Sequence, residues 1–135
     1  MVDREGFIHS TCVSKWYARD ESRVPHLLEG IKEEISSLTG DKGYDQNSVY
    51  KAVLRVNNRA DIIIQPRVNA VVSGKRKWTQ RDKHVQKLFE EGIHKWRRES
   101  GYYQQSRVEN TFYRYKTIFE KSCGQHERII VLPKP

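Results

Sequence analysis

The chain has 135 residues, with 25 Lys and Arg against 17 Asp and Glu for a net charge of +8, and 36% hydrophobic against 31% charged residues. A mass of 16.0 kDa and a mean hydropathy of −0.83 suit one domain with a thin core and exclude a disordered tail. No apolar run approaches the ~18 residues of a membrane span, the charged start Met1-Val2-Asp3-Arg4-Glu5 is no secretory leader, and Cys12 with Cys123 makes neither a disulfide framework nor a zinc cluster, so a soluble cytoplasmic protein with reduced thiols is expected.

In chain order, Gly6 to Ser14 is rich in β-branched and aromatic residues and predicts a strand. Asp20-Glu21-Ser22 supplies caps for an amphipathic helix bearing Val24, Leu27, Leu28, Ile31 and Ile35, with Pro25 in its first turn. A short strand ends at Leu38-Thr39-Gly40-Asp41, and Lys42-Gly43-Tyr44-Asp45 turns the chain. A helix from about Asn47 to Val56 should bury Val49, Val53 and Val56, and Ala60 to Gln65 should form a strand covered on both faces and stopped by Pro66. This alternation points to α/β layering.

Beyond Pro66 the grammar changes. Up to Gln65 there are 9 basic and 10 acidic residues, and from Pro66 onward 16 and 7, so the second half carries all the excess charge. Residues 67 to 78 form a basic loop with Lys75, Arg76, Lys77 and Trp78, and Thr79 with Asp82 has the spacing of a capping box. The helix that follows lines up Val85, Leu88, Phe89 and Trp96 and is broken at Ser100-Gly101. A last helix starting near Ser106 carries Val108, Phe112, Tyr115 and Phe119, and after Glu120 no helical period survives. The basic half is the footprint of a surface for polyanions, because each Lys or Arg set against a phosphate releases a condensed counterion.

Few residues offer chemistry. Asp41 follows a strand at the start of a glycine turn, the place where open α/β sheets bind ligands, although a loop Asp beside Gly is more often a turn former or a helix cap, and Asp45 competes for the same role. Tyr102, Glu109 and Lys116 stand seven residues apart, so Glu109 and Lys116 project together from one helix. A carboxylate and a lysine so placed suit a divalent metal and a phosphate, while Ser106 to Glu109 also fits a capping box and Lys116 an ordinary solvated residue. The five histidines make no helix-spaced metal pair, Cys123 with His126 is half a zinc site at most, and no GxSxG, GxxxxGK[ST] or GxGxxG motif occurs. Trp78 is a candidate for stacking on bases and Trp96 a core residue.

Three stretches carry a resemblance: GDKGYDQNSVY (Gly40 to Tyr50), IIIQPRVNA (Ile62 to Ala70) and, above all, WRRESGYYQQSRVENTFYRYKTIF (Trp96 to Phe119). Over roughly Asp20 to Phe119 the chain resembles the C-terminal half of DDE transposases encoded by bacterial insertion sequences. The resemblance implies an α/β, incomplete ribonuclease H-like fold, a mixed sheet flanked by helices and lacking its first strand or strands. It also implies a site in which two aspartates and a glutamate bind Mg2+ or Mn2+ for DNA cleavage and strand transfer. Asp41 matches the second aspartate and Glu109 the glutamate, as catalytic and metal-binding residues. The family's Tyr, Arg, Glu, Lys signature is met at Tyr102, Glu109 and Lys116, but its arginine falls at Gln105. Tyr102, Lys116 and Arg114 of the last helix, with Lys75, Arg76 and Lys77, are the implied DNA-facing residues.

The segment bearing the family's first aspartate would lie upstream of Met1, with Asp3 at the end of a second strand. The expected organisation is then one partial catalytic domain over 1–135: a sheet-rich part (1–66) with Asp41, a basic loop and helices (67–121) with Glu109, and a divergent tail (122–135). The resemblance implies a nucleoid-associated bacterial protein whose partner is DNA, alone or with a second copy or the missing transposase part, without membrane or small-molecule substrate. It also implies little autonomous cleavage, since two carboxylates leave the metal site incomplete. The alternatives are a non-catalytic basic DNA-binding module and an unproductive remnant.

Overall fold

A computed structural model describes residues 1–3, 5, 7–10, 12 and 18–119. At its centre are two parallel strands, β1 (Ser37–Gly40) and β2 (Asp61–Ile64), in register from Ser37 opposite Asp61 to Gly40 opposite Ile64. Parallel strands require a crossover, which α2 (Asn47–Val56) supplies. With α1 (Val24–Glu29), α3 (Gln80–Glu99) and α4 (Gln105–Phe119), this is the α/β arrangement expected, a small sheet flanked by helices. An isolated antiparallel bridge joins Val2 to Ile8. It is what the strand expected over Gly6 to Ser14 amounts to among the described residues; Gly6, Thr11, Val13 and Ser14 lie outside them.

The core gathers where α1 and α2 cover the sheet: Val24, Leu27, Leu28, Leu38, Val49, Val53, Ile62 and Ile64 are all buried. All four residues of β1 are buried. β2 buries Ile62 and Ile64, leaves Asp61 exposed and Ile63 half-buried, so its second face is less covered than the isoleucine run predicts. A Cβ on Gly40, at the end of β1, would stand 3.3 Å from the Tyr44 ring, which would have to shift by a few tenths of an ångström, and in ordinary contact with Ile64 Cγ1 at 3.5 Å.

Three helical expectations are corrected. First, α1 stops at Glu29 with Gly30 as its cap, whereas the apolar spacing predicts a helix through Ile35. Ile35 is nonetheless buried, and Ile31 packs against the core from outside the helix; glycine is a poor helix residue, so the chain leaves the helix while keeping its apolar contacts. Second, Val56 is 48% exposed, and Tyr50 and Ala52 join Val49 and Val53 on the buried face of α2. Third, Phe89 is 87% exposed although Trp96, on the same expected stripe, is fully buried. Gly92, with φ of 80° and ψ of 165°, breaks α3 between Phe89 and Trp96, so the two residues do not share one continuous helical stripe; Phe89 itself lies before the break, one turn after the buried Val85.

The start of α3 is as predicted. The Thr79 hydroxyl accepts the Asp82 N–H at 3.2 Å, and Asp82 Oδ2 accepts the Thr79 N–H at 2.9 Å, a complete capping box. Asp82 also accepts the Ser73 N–H (2.6 Å) and hydroxyl (2.9 Å), which ties down the loop before the helix. Burial by itself would raise the Asp82 pKa, but the Thr79 and Ser73 donors outweigh it and hold the carboxyl well below its ordinary range.

The free edge of β2 is satisfied by side chains of α3 instead of a third strand. Gln80 accepts the Ile62 N–H (2.9 Å) and donates to the Ala60 carbonyl (2.9 Å). Four residues on, His84 reaches the Ile62 carbonyl at 2.8 Å. The Trp96 indole N–H, a donor only, points at His84 Nδ1 (3.1 Å), so the ring proton sits on Nε2 and the imidazole is neutral. The α3 helix is thus keyed to the strand by a glutamine and a histidine at i and i+4.

After Gly101 (φ 76°) the chain makes a 3-10 turn, Tyr102–Gln104, and enters α4 at Gln105. The Ser106 hydroxyl donates to the Tyr103 carbonyl (2.8 Å) within that first turn, so the Ser106 to Glu109 capping box is not formed. Tyr115 is half-buried; the side chains of Val108, Phe112 and Phe119, and the whole of 120–135, lie outside the described residues.

Candidate active site

The C-terminal end of a parallel sheet is where the loops diverge and leave room for a ligand. Asp41 sits there, one residue beyond β1, exposed, capping the Lys42–Tyr44 turn with its Oδ1 accepting the Gly43 N–H at 2.7 Å. The last residue of the β2 region, Gln65, donates its N–H to the Gly40 carbonyl at 3.4 Å and so lies beside it. Gln65 Oε1 in turn accepts from Arg97 Nη2 of α3 (2.8 Å).

The turn after α3 brings Tyr102 to the same place. Its ring packs on Trp96, centroids 5.4 Å apart and tilted by 50°, and the Arg97 guanidinium carbon lies 5.5 Å from its centroid. The Tyr102 hydroxyl is pushed above its ordinary pKa, first by burial, next by the negative charge of Asp41, and further by that of Glu109, with Arg97 opposing. One phenol therefore lies within electrostatic reach of both carboxylates singled out in the sequence. Glu109 is exposed on α4. Among the described residues, neither Asp41 nor Glu109 is ion-paired.

The buried acids, in contrast, are committed to structure. Asp45, whose side chain has no exposure, takes both arms of Arg81, Nε at 2.6 Å and Nη2 at 3.0 Å. It also accepts the Arg67 N–H (3.0 Å), and the Arg67 guanidinium makes longer bonds to the carbonyls of Lys42 (3.4 Å) and Gly43 (3.3 Å). Asp45 is thereby the hub tying the start of α3 and the loop after β2 to the turn that Asp41 begins. In the sequence Asp45 is a turn residue; its partners lie 22 and 36 positions away, and only the fold brings them in. Asp3, also buried, accepts from the N–H groups of Glu5 (3.0 Å) and Phe7 (2.9 Å) and from His9 Nε2 (2.8 Å).

Of the remaining expected site residues, Lys116 is half-buried and Arg114 exposed, both on α4. Lys75, Arg76 and Lys77 stand exposed in the loop before α3, beside Trp78, which is 46% exposed. Gln65 and Arg97 were not foreseen; the one signal for them is position, immediately after the isoleucine run and immediately after a buried tryptophan. Asp41 and Glu109 are hard oxygen donors free of cationic partners, a chemistry that fits Mg2+ or Mn2+. Among the described residues no group of three or more His, Cys, Asp or Glu is placed to hold a metal ion, so the fit extends to a two-carboxylate site. Among the described residues no helix is long and apolar enough to cross a membrane.

Residues 1–123 match a family described as Transposase DDE domain. No curated protein and no solved structure matches the chain.

Proposed function

The chain belongs to the transposase DDE domain family, and from that membership we propose that the sheet end bearing Asp41, with Glu109 from α4, is a metal-dependent DNA-processing site of the insertion-sequence type. The observation that carries the reading is Tyr102, whose ring packs on Trp96 and against the Arg97 guanidinium, which Gln65 holds beside the strand end that Asp41 follows; the negative charges of Asp41 and Glu109, 68 positions apart in sequence, both raise its hydroxyl pKa. Asp41 and Glu109 would together hold Mg2+ or Mn2+, which supplies charge neutralisation at a phosphodiester and a more acidic bound water. The chain's own part is positional. Asp41 is fixed by the Gly43 N–H, Tyr102 closes one side of the site against Trp96, and Lys116, Arg114 and the Lys75-Arg76-Lys77 loop offer charge to the DNA backbone.

Two carboxylates are one short of the usual two-ion clamp. The polypeptide is therefore proposed to bind DNA but to cleave it slowly or not at all unless a further carboxylate joins the site, from another segment or another chain. Duplex binding by anisotropy and nicking of supercoiled plasmid with Mn2+ test this together. The expected result is salt-sensitive binding, with any nicking abolished by EDTA and by Asp41→Ala or Glu109→Ala. Metal-dependent nicking that survives both substitutions contradicts the site. Salt-sensitive binding with no metal effect at either carboxylate favours a non-catalytic DNA-binding module, for which the exposed Lys75 to Trp78 loop is the specific support.

A further inference from the structure

Arg97 and Arg81 are both partly buried arginines, and their surroundings differ in a way that separates their roles. Arg81 closes on Asp45 with two short bonds, the arrangement of a structural ion pair. Through Gln65, which bonds to the Gly40 carbonyl, Arg97 lies at the strand end that Asp41 follows, yet among the described residues it is ion-paired with neither Asp41 nor Glu109. Its guanidinium is instead held by neutral groups: Gln65 Oε1 takes Nη2 at 2.8 Å, and the Tyr102 ring lies 5.5 Å from Cζ. Its Nε–H is closed off from water without a partner, so the donors left for an incoming group are at the Nη end.

A cation fixed on a neutral glutamine and an aromatic face keeps its charge available, and its geometry is set before a ligand arrives, which lowers the entropic cost of binding. Gln65 lies beside Gly40, next to Asp41, so the Nη end is held at the same sheet end as the carboxylates. The complementary group for a guanidinium beside a two-carboxylate metal site is an anion with several oxygens that can engage metal and arginine at once. A backbone phosphodiester has that form.

We propose that Arg97, held by Gln65 and Tyr102, contacts a DNA backbone phosphate at the Asp41/Glu109 site and positions the strand there. The proposal rests on the DNA-processing reading above. Lys75, Arg76 and Lys77 lie in an exposed loop, whereas Arg97 is a positioning residue inside the site.

The test uses the full chain and a fluorescein-labelled 30-bp duplex, with affinity measured across a salt series. Each lost phosphate contact lowers the steepness of log K against log salt by about 0.9. Arg97→Gln is expected to lower it by that amount, and Arg97→Lys, which keeps the charge, to retain the wild-type slope. A second measurement needs no variant: modification of wild-type arginines by hydroxyphenylglyoxal, mapped by mass spectrometry, should be slowed at Arg97 when duplex is bound. An unchanged slope in Arg97→Gln, or equal Arg97 modification with and without duplex, overturns the proposal while wild-type binding leaves the DNA reading standing. Failure of the wild-type chain to bind duplex at any salt concentration removes the DNA reading itself, and this inference with it.

Discussion

Replacing Arg81 with alanine is expected to destabilise the fold by about 3–5 kcal/mol, because it leaves the Asp45 carboxylate buried without its cationic partner. The side chain of Asp45 has no exposure and that of Arg81 has 18%, so solvent screens the pair weakly. The Asp45 hydrogen bond is the main reason that the Arg81 pKa is raised, against the opposing effect of burial. Chemical denaturation of the variant should show this as a lower midpoint with an unchanged slope. Removing both partners, as Asp45→Leu with Arg81→Met, should recover much of the loss, since an apolar pair of similar volume does not leave a lone buried charge. A cost near zero for Arg81→Ala contradicts the role of Asp45 as hub. The effect should also reach the site: Asp45 holds the Arg67 N–H, and Arg67 holds the turn after Asp41, so the variant should bind divalent metal less well than its remaining stability accounts for.

The second large effect is expected at Trp96. The residue is fully buried, its N–H engages His84, and its ring supports Tyr102; truncation to alanine should cost about 3–5 kcal/mol. Trp96→Phe keeps most of the volume but loses the N–H donor, and should cost less. The pH dependence identifies the network. Burial lowers the His84 pKa, with the hydrogen bond to Ile62 opposing, so the folded chain binds a proton on this ring less readily than the unfolded chain, whose histidine titrates near ~6.5. The unfolded state therefore takes up more protons in the window below that value. The contribution to stability is complete above about pH 6.5 and falls as pH drops from there toward the folded pKa. Melting temperatures of wild type should decline between pH 7.5 and 5.5, and in His84→Gln that decline should shrink. An equal decline in both contradicts the neutral, doubly hydrogen-bonded imidazole.

Local chemistry was legible in the sequence to the extent that it was local. The Thr79–Asp82 capping box, the bounds of α2 and the break at Gly101 depend on residues within a few positions of one another, and the structure has them. Apolar spacing separates core from helix imperfectly in both directions: Ile35 is buried outside a helix, and Val56 and Phe89 are exposed within theirs. The first departure traces to Gly30, where the backbone leaves the helical path; the exposure of Phe89, which precedes the break at Gly92, has no local cause in the sequence. The candidate site was legible as residues but not as a place. Asp41 and Glu109 could be named, yet what relates them is Tyr102 folded back onto Trp96 and the sheet end. Arg97, Gln65 and the Asp45–Arg81 pair have partners more than 30 positions apart and carry no local signature.

Asp41 and Glu109 are proposed to form one metal-binding site although they lie on separate elements. The most direct measurement is Mn2+ binding to the full chain, followed by electron paramagnetic resonance, for wild type, Asp41→Asn, Glu109→Gln and, as control, Asp61→Asn at the opposite end of the sheet. One ion per chain is expected in wild type and in Asp61→Asn, with binding weakened at least tenfold by either of the other substitutions alone. Mn2+ binding that is absent from wild type, or indifferent to both Asp41 and Glu109, would contradict that site.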